Sequence, residues 1–206
     1  MKRLPIVATI VVALAVAAMI GLGVWQLRRA QWKEALIAQY ADNPAKPPMA
    51  YPKVGPVPPE AMFRKSSANC LNIVGWHVEA GRSAAGGSGY RQIAECRTGA
   101  EGPGLLVDIG VSASPSANVD WRGGIVNGII TTEPDHSSLV AKLFGRAPVL
   151  RPMLVADTPA PGLSVSAPPS VEGITNNHRA YAVQWFIFAT IAAVIYALAL
   201  RRRFKP

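Results

Sequence analysis

Acidic side chains are missing from both ends of this 206-residue chain: all twelve lie between Glu34 and Glu172. Charge of either sign is scarce, at 16% of residues against 50% hydrophobic. That balance excludes an intrinsically disordered chain, which would be poor in apolar residues and rich in charge. Cysteine is limited to Cys70 and Cys96, and histidine to His77, His136 and His178. There is no G-x-S-x-G, no H-E-x-x-H, no P-loop and no G-x-G-x-x-G opening a helix, so the usual hydrolase, metalloprotease and nucleotide signatures are absent and the chain reads as a non-enzyme. Asp135-His136-Ser137 holds the residue types of a triad, but sequence neighbours do not make its spatial arrangement. Gly102-Pro103-Gly104 reads as a turn, and His77, after Trp76 in an expected strand, as a surface or core histidine.

The formal net charge is +9. Six of the 21 Lys and Arg sit at the extreme ends (Lys2, Arg3, Arg201, Arg202, Arg203, Lys205), leaving fifteen bases against twelve acids, a net of +3, for residues 26 to 179. A nearly balanced middle argues against nucleic acid as a partner.

What is abundant is long apolar sequence. Leu4 to Leu27 is a run of 24 uncharged residues, and Ala180 to Leu200 one of 21. About 20 helical residues cross a hydrocarbon core of about 30 Å, so each run is expected to span a bilayer. A cleaved signal peptide would share the Lys2-Arg3 start and the Ala15-Val16-Ala17 site, but the run continues through Met19, Leu22 and Trp25, beyond a signal h-region. We therefore read an uncleaved anchor. Arg201-Arg202-Arg203 and Lys205 place the carboxyl tail in the cytoplasm, and two spans return the amino end to the same side. The middle is then outside. With no transit peptide ahead of the first span, the expected location is a bacterial inner (plasma) membrane with a periplasmic central domain. Trp25, Trp32, Tyr181 and Trp185 fall near the outer ends of the spans, where amphipathic rings favour the lipid–water boundary. Ala13, Ala17 and Gly21 repeat every four positions and are expected to pack against Ala189, Ala192 and Ala193.

The expected division is a cytoplasmic stretch 1–3, a first span 4–27 whose helix continues to about residue 40, a Pro-rich extended linker 41–60, a β-rich domain 61–174, a second span 178–200 and a basic tail 201–206. Seven prolines between residues 44 and 59 exclude helix and central strand there. Of the 18 Gly and 18 Pro, all but Pro5, Gly21, Gly23 and Pro206 lie in the middle of the chain. Strands are expected near 72–79, 89–97, 105–111, 124–132, 153–156 and 163–167, with one short helix at 138–144. The fold class is two transmembrane α-helices flanking a mainly β domain, with an antiparallel sheet or partly closed barrel. In an oxidising compartment Cys70 and Cys96 are expected to pair; free thiols or a metal-handling pair are the alternatives.

His178 stands in Thr175-Asn176-Asn177-His178-Arg179, at the start of the second span, with Tyr181 and Trp185 at i+3 and i+7. It reads first as part of a capped helix start among headgroups, and alternatively as an imidazole that could ligate a haem iron while a cation meets a propionate. Composition does not choose between them. The stretch Gly21-Leu-Gly-Val-Trp-Gln-Leu-Arg-Arg-Ala-Gln-Trp-Lys-Glu, together with Asn176-Asn-His-Arg-Ala-Tyr-Ala-Val-Gln-Trp-Phe and the basic tail, resembles the Surfeit locus protein 1 family of two-span assembly factors for haem-copper cytochrome c oxidase. The middle departs from that pattern: where the family has a strand ending in Asn-Arg-Gly-Trp, this chain reads Leu105-Leu-Val-Asp-Ile-Gly-Val.

The resemblance implies an assembly chaperone that holds or hands on haem a during maturation of oxidase subunit I, with haem a synthase as a second candidate partner. It implies His178 as axial ligand to the haem iron. Tyr181, Trp185 and Trp25 would lie against the macrocycle, with Arg179 or Arg28 near the propionates. The competing reading is a membrane-anchored scaffold of a respiratory complex that binds no haem.

Overall fold

The computed structural model describes residues 5–99 and 104–204. The expected stretch 1–3 with Lys2 and Arg3, the turn at Gly102-Pro103, and Lys205 lie outside these residues. Two units are distinguished, a helix pair formed by the two ends of the chain and a central domain over Ala38–Val171.

In the helix pair, α1 covers Ile6–Asp42 and α3 covers His178–Phe204. Both are long and apolar enough to cross a membrane. Helix α1 outlasts its charge-free run because residues 28 to 42 are strong helix formers, and it stops where Asn43-Pro44 can no longer continue it. The antiparallel contact is made by small residues seven apart on each helix. Gly23 and Ala30 are buried on α1, Ala182 and Ala189 on α3. A Cβ on Gly23 would lie 2.6 Å from the Phe186 ring, so only glycine admits that ring. Near the opposite end of α1, the Thr9 and Tyr196 hydroxyls are 2.6 Å apart.

This contact face differs from the expected one. Ala13, Ala17 and Gly21 are exposed, and nothing lies within 4 Å of a Cβ placed on Gly21. On α3, Ala189 is buried and Ala192 half-buried, but Ala193 is exposed. The reason is periodic: a repeat of four drifts about 40° per step around a 3.6-residue helix, whereas a repeat of seven returns to nearly the same face.

The central domain is built on one seven-stranded sheet. Its strands are β1 (Met49–Ala50), β2 (Lys65–Cys70), β3 (Asn72–Arg82), β4 (Ser88–Arg97), β5 (Gly104–Ser112), β6 (Gly124–Thr132) and β7 (Pro152–Ala156). They lie in the order β1-β2-β6-β7-β5-β4-β3. The sheet is mixed rather than antiparallel, because β7 runs parallel to β5 and β1 parallel to β2. It does not close into a barrel; β1 and β3 are its edges.

Five strands start within three residues of their expected positions, and the short helix appears as α2, Leu139–Leu143. The expected strand at 163–167 makes only isolated bridges, Ser164 to Val111 and Ser166 to Ser83. Residues 41–60 are not the extended linker expected: after Asp42 they form a 3-10 turn at Asn43–Ala45 and contribute edge strand β1, and they pack closely, with Asn43 and Val57 buried. The Asn43 amide donates to the carbonyls of Pro59 and Met62, each at 2.8 Å.

Strands β5 and β7 are buried on both faces, which suits their central, parallel pairing. Leu105, Val107, Ile109, Ile130 and Leu154 fill the main core, and Ile93, Leu106, Met153 and Val155 form a smaller cluster. Asp108 is fully buried in β5. Its carboxylate accepts from Arg91 Nε at 2.7 Å, Ser166 Oγ at 2.7 Å and Gly110 N at 3.1 Å, which compensates its removal from water. Gly110 has φ +131°, and a Cβ there would lie 2.8 Å from Leu163 and the Ser164 carbonyl. Cys70 and Cys96 form a disulfide across 26 positions, inside the main core. Closing a loop of that length restricts the unfolded chain by about 3.5 kcal/mol on the entropic account.

The contact face makes opposite predictions for two neighbouring glycines. Gly23→Leu forces Phe186 aside and should destabilise the helix pair by about 1–3 kcal/mol, read as a lower thermal midpoint of the protein in detergent. Gly21→Leu should leave that midpoint unchanged. Equal effects at both positions would refute this packing.

Candidate functional site

Thr9 and Gln26 are the only hydrogen-bonding polar side chains in the first charge-free run apart from the Trp25 indole. Both reach α3. Gln26 Oε1 lies 2.7 Å from His178 Nδ1. A carbonyl oxygen can only accept, so Nδ1 carries the proton in the neutral imidazole and the Nε2 lone pair is left available. Among the described residues Nε2 has no hydrogen-bond partner.

The segment before His178 is held to the same face of α1. The Asn176 amide donates to the Ala30 carbonyl at 3.3 Å, and Lys33 Nζ to the Thr175 carbonyl. Arg179 clasps Glu34, with Nε to Oε1 and Nη2 to Oε2 both at 2.8 Å. The first turn of α3 closes with Tyr181 N donating to the Asn177 carbonyl at 3.2 Å. Asn176 Oδ1 is buried and, among the described residues, has no partner. An unsatisfied buried acceptor in a native fold calls for a water, an ion or a ligand.

The six residues expected to share a cofactor do not all converge. His178 and Trp185 are half-buried on α3 and Tyr181 is exposed beside them. Trp185 packs edge-on to Phe188, with ring centroids 6.2 Å apart. Arg179 is engaged by Glu34. Trp25 and Arg28 are exposed and lie on the side of α1 turned from the Gly23–Ala30 stripe, as their helical positions require. Arg29 stacks on Trp32, its guanidinium carbon 4.0 Å from the ring centroid.

A second polar cluster lies on the sheet of the central domain. Arg151 bridges Glu95 and Glu133 at 2.7 and 3.0 Å, and His77 Nε2 is 3.2 Å from Glu95. Hydrogen bonds from Arg151 and then His77 hold the Glu95 carboxyl below its ordinary range. His136 Nε2 meets Glu79 at 2.9 Å rather than Asp135. Asp135 is committed to Lys142 and to the Ser137 amide, which hold its pKa down to about 2. His77, Glu79, Glu133, His136 and Arg151 line a cavity of about 240 Å³ together with Ile93, Leu106 and Met153. Each His and Glu in it already has a partner within the cluster, and the Asp135-His136-Ser137 sequence is not assembled as a triad.

The polar pairs on the helix pair therefore concentrate where the quoted motifs lie, around Gln26 and His178. Across residues 13–190 the chain matches the SURF1 family. This protein belongs to the SURF1 family. That match takes in most of the first span, the whole central domain and the α3 residues through Thr190. SURF1 proteins are known as cytochrome oxidase assembly factors, a family of assembly factors rather than of enzymes, and membership supports an assembly role. Among curated proteins none matches the chain.

Gln26 and Glu34 belong to this site and were not singled out by sequence reasoning. For Gln26 the signal was present: a polar amide inside an apolar span is costly unless it meets a partner. Glu34 is the first acid of the chain and lies two turns beyond Gln26 on the same helix, a spacing that places both towards one neighbour.

The Gln26 contact should be visible without any cofactor. Gln26→Leu removes the acceptor, and nitrogen NMR of the labelled imidazole should change from one dominant Nδ1–H tautomer to a mixture, a loss of about 1 kcal/mol of orientation. An unchanged tautomer ratio would show that Gln26 does not set it.

Proposed function

We propose that this SURF1 protein serves oxidase assembly by holding haem a, with His178 as the axial ligand, before the haem enters subunit I. The observation that carries the reading is the fixed imidazole: Nδ1 is engaged by Gln26 Oε1 at 2.7 Å while Nε2 is unpartnered among the described residues. Histidine ligands in metal sites are commonly oriented in this way through their second nitrogen. The donor set also fits the group. His178 and Trp185 are half-buried, Tyr181 supplies a ring beside them, and Arg179 offers a cation for a propionate while Glu34 holds its guanidinium in place. The orphan Asn176 Oδ1, two residues before His178, supports a site that is completed by another molecule. When bound, the haem would supply the iron and the amphiphilic macrocycle. The protein's part is to orient the imidazole and to keep one side apolar. Trp25 and Arg28, on the far side of α1, are assigned to headgroups or to the partner subunit rather than to the haem.

The proposal includes the setting. Arg201-Arg202-Arg203 closes α3 and argues for a cytoplasmic carboxyl end, hence a periplasmic central domain in a bacterial inner membrane. Haem a synthase is the natural donor and subunit I the acceptor under this reading.

Protein purified from cells that make haem a should carry a haem a spectrum. His178→Ala should shift or bleach it and weaken retention about tenfold or more, with normal insertion. An unaltered spectrum would exclude His178 as ligand. A colourless wild-type protein that still co-purifies with subunit I would favour the scaffold role instead. For the setting, reporter fusions after Pro206 and within the turn at residues 83–87 should report opposite sides of the membrane; a same-side result defeats it.

A further inference from the structure

Helix α2 is short and entirely outward-facing. None of its residues is buried. Leu139 and Leu143 are 85% and 81% exposed, and Val140 and Phe144 65% and 67%. Leu139, Leu143 and Phe144 are more exposed than the span residue Leu14, at 66%, and Val140 is nearly as exposed. The four side chains recur at i, i+1, i+4 and i+5 and so form one apolar stripe.

This stripe is built, not left over from an unfolded loop. Ser138 caps the helix, its Oγ accepting from Ala141 N at 3.1 Å. Arg146 N donates to the Ala141 carbonyl at 2.8 Å and continues the turn beyond Phe144. Lys142 lies on the other side of the helix, tied to Asp135 at 2.7 Å. Asp135 keeps its charge down to about pH 2, so this tether persists at any physiological pH.

The segment carrying the stripe is basic, and Arg146 is its base that enters no ion pair among the described residues, Lys142 being held by Asp135 and Arg151 by Glu95 and Glu133. From Ser137 to Pro152 there are three bases, Lys142, Arg146 and Arg151, and no acid. Leucine and phenylalanine on one face with lysine and arginine beside them is the composition of a segment that lies in a lipid–water interface, where anionic headgroups complement the bases. The central domain continues at both ends into helices long enough to cross a membrane, so the chain tethers it to the bilayer those helices enter.

We propose that the α2 stripe docks into the headgroup layer of the membrane that anchors the chain, with anionic lipid as its preferred partner. This is independent of haem binding. Leu139, Leu143 and Phe144 enter the headgroup–acyl boundary, and Arg146 meets lipid phosphate.

The native cysteines are both bridged, so a single introduced thiol can be labelled in the full chain. Leu143→Cys, carrying a polarity-sensitive fluorophore, is compared with the same label at Asp120→Cys, whose native side chain is 85% exposed. Both are placed in nanodiscs of phosphatidylcholine with or without phosphatidylglycerol. The label at 143 should be blue-shifted and severalfold less quenched by aqueous iodide than the label at 120, most strongly with phosphatidylglycerol. Adding Arg146→Glu should reduce the difference. Equal quenching at 143 and 120 in both lipid mixtures overturns the proposal. Shielding of position 143 that arises only when oxidase subunits are added also overturns it, and assigns the stripe to a protein surface.

Discussion

Close approach of two helix backbones at Gly23 governs the membrane half of this protein. Only hydrogen on that Cα lets the Phe186 ring lie against α1, and Ala30, Ala182 and Ala189 keep the separation small on either side. At that separation short polar side chains can reach across. Gln26 meets His178, Thr9 meets Tyr196, and the Asn176 amide meets a main-chain carbonyl of α1. In hydrocarbon the driving force for helix association is packing and hydrogen bonding rather than escape from water, so a bulkier contact would cost both.

The central domain handles its polar groups by a different rule. Asp108 is buried in a doubly covered strand, and three donors converge on it from β4, from its own strand and from Ser166. A buried carboxylate is tolerated only with such compensation. The Arg151, Glu95 and His77 network does comparable work at partial exposure, where screening makes each pair worth less. In both arrangements each charged group is held by a named partner.

Much of this architecture was legible in residue order because its signals are local. Two charge-free runs of over 20 residues announce the spans, and short apolar runs rich in Val, Ile and Leu announce β3, β5 and β6. Strand β2, Lys-Ser-Ser-Ala-Asn-Cys, was missed because its small polar residues carry no β signature; it is held by pairing with β6. The parallel partnership of β5 and β7 is non-local and leaves no mark in either segment. The same distinction holds at the candidate site. His178 and Arg179 stand out beside an apolar run, whereas Gln26 and Glu34 acquire meaning only once α1 and α3 are adjacent.

The position of β7 has a consequence for how the domain is made. It is the last strand in the chain, yet it lies at the centre of the sheet, between β6 and β5. Without it the sheet falls into two leaves, β1-β2-β6 and β5-β4-β3, that share no ladder. A chain emerging from its amino end can form each leaf early, but the main core that includes Leu154 and Ala156 cannot close until residue 156 has emerged. Only about twenty residues then remain before α3 begins. Completion of the sheet and arrival of the second span are thus close in time, and the helix carrying His178 becomes available only to a domain whose last strand is already in hand.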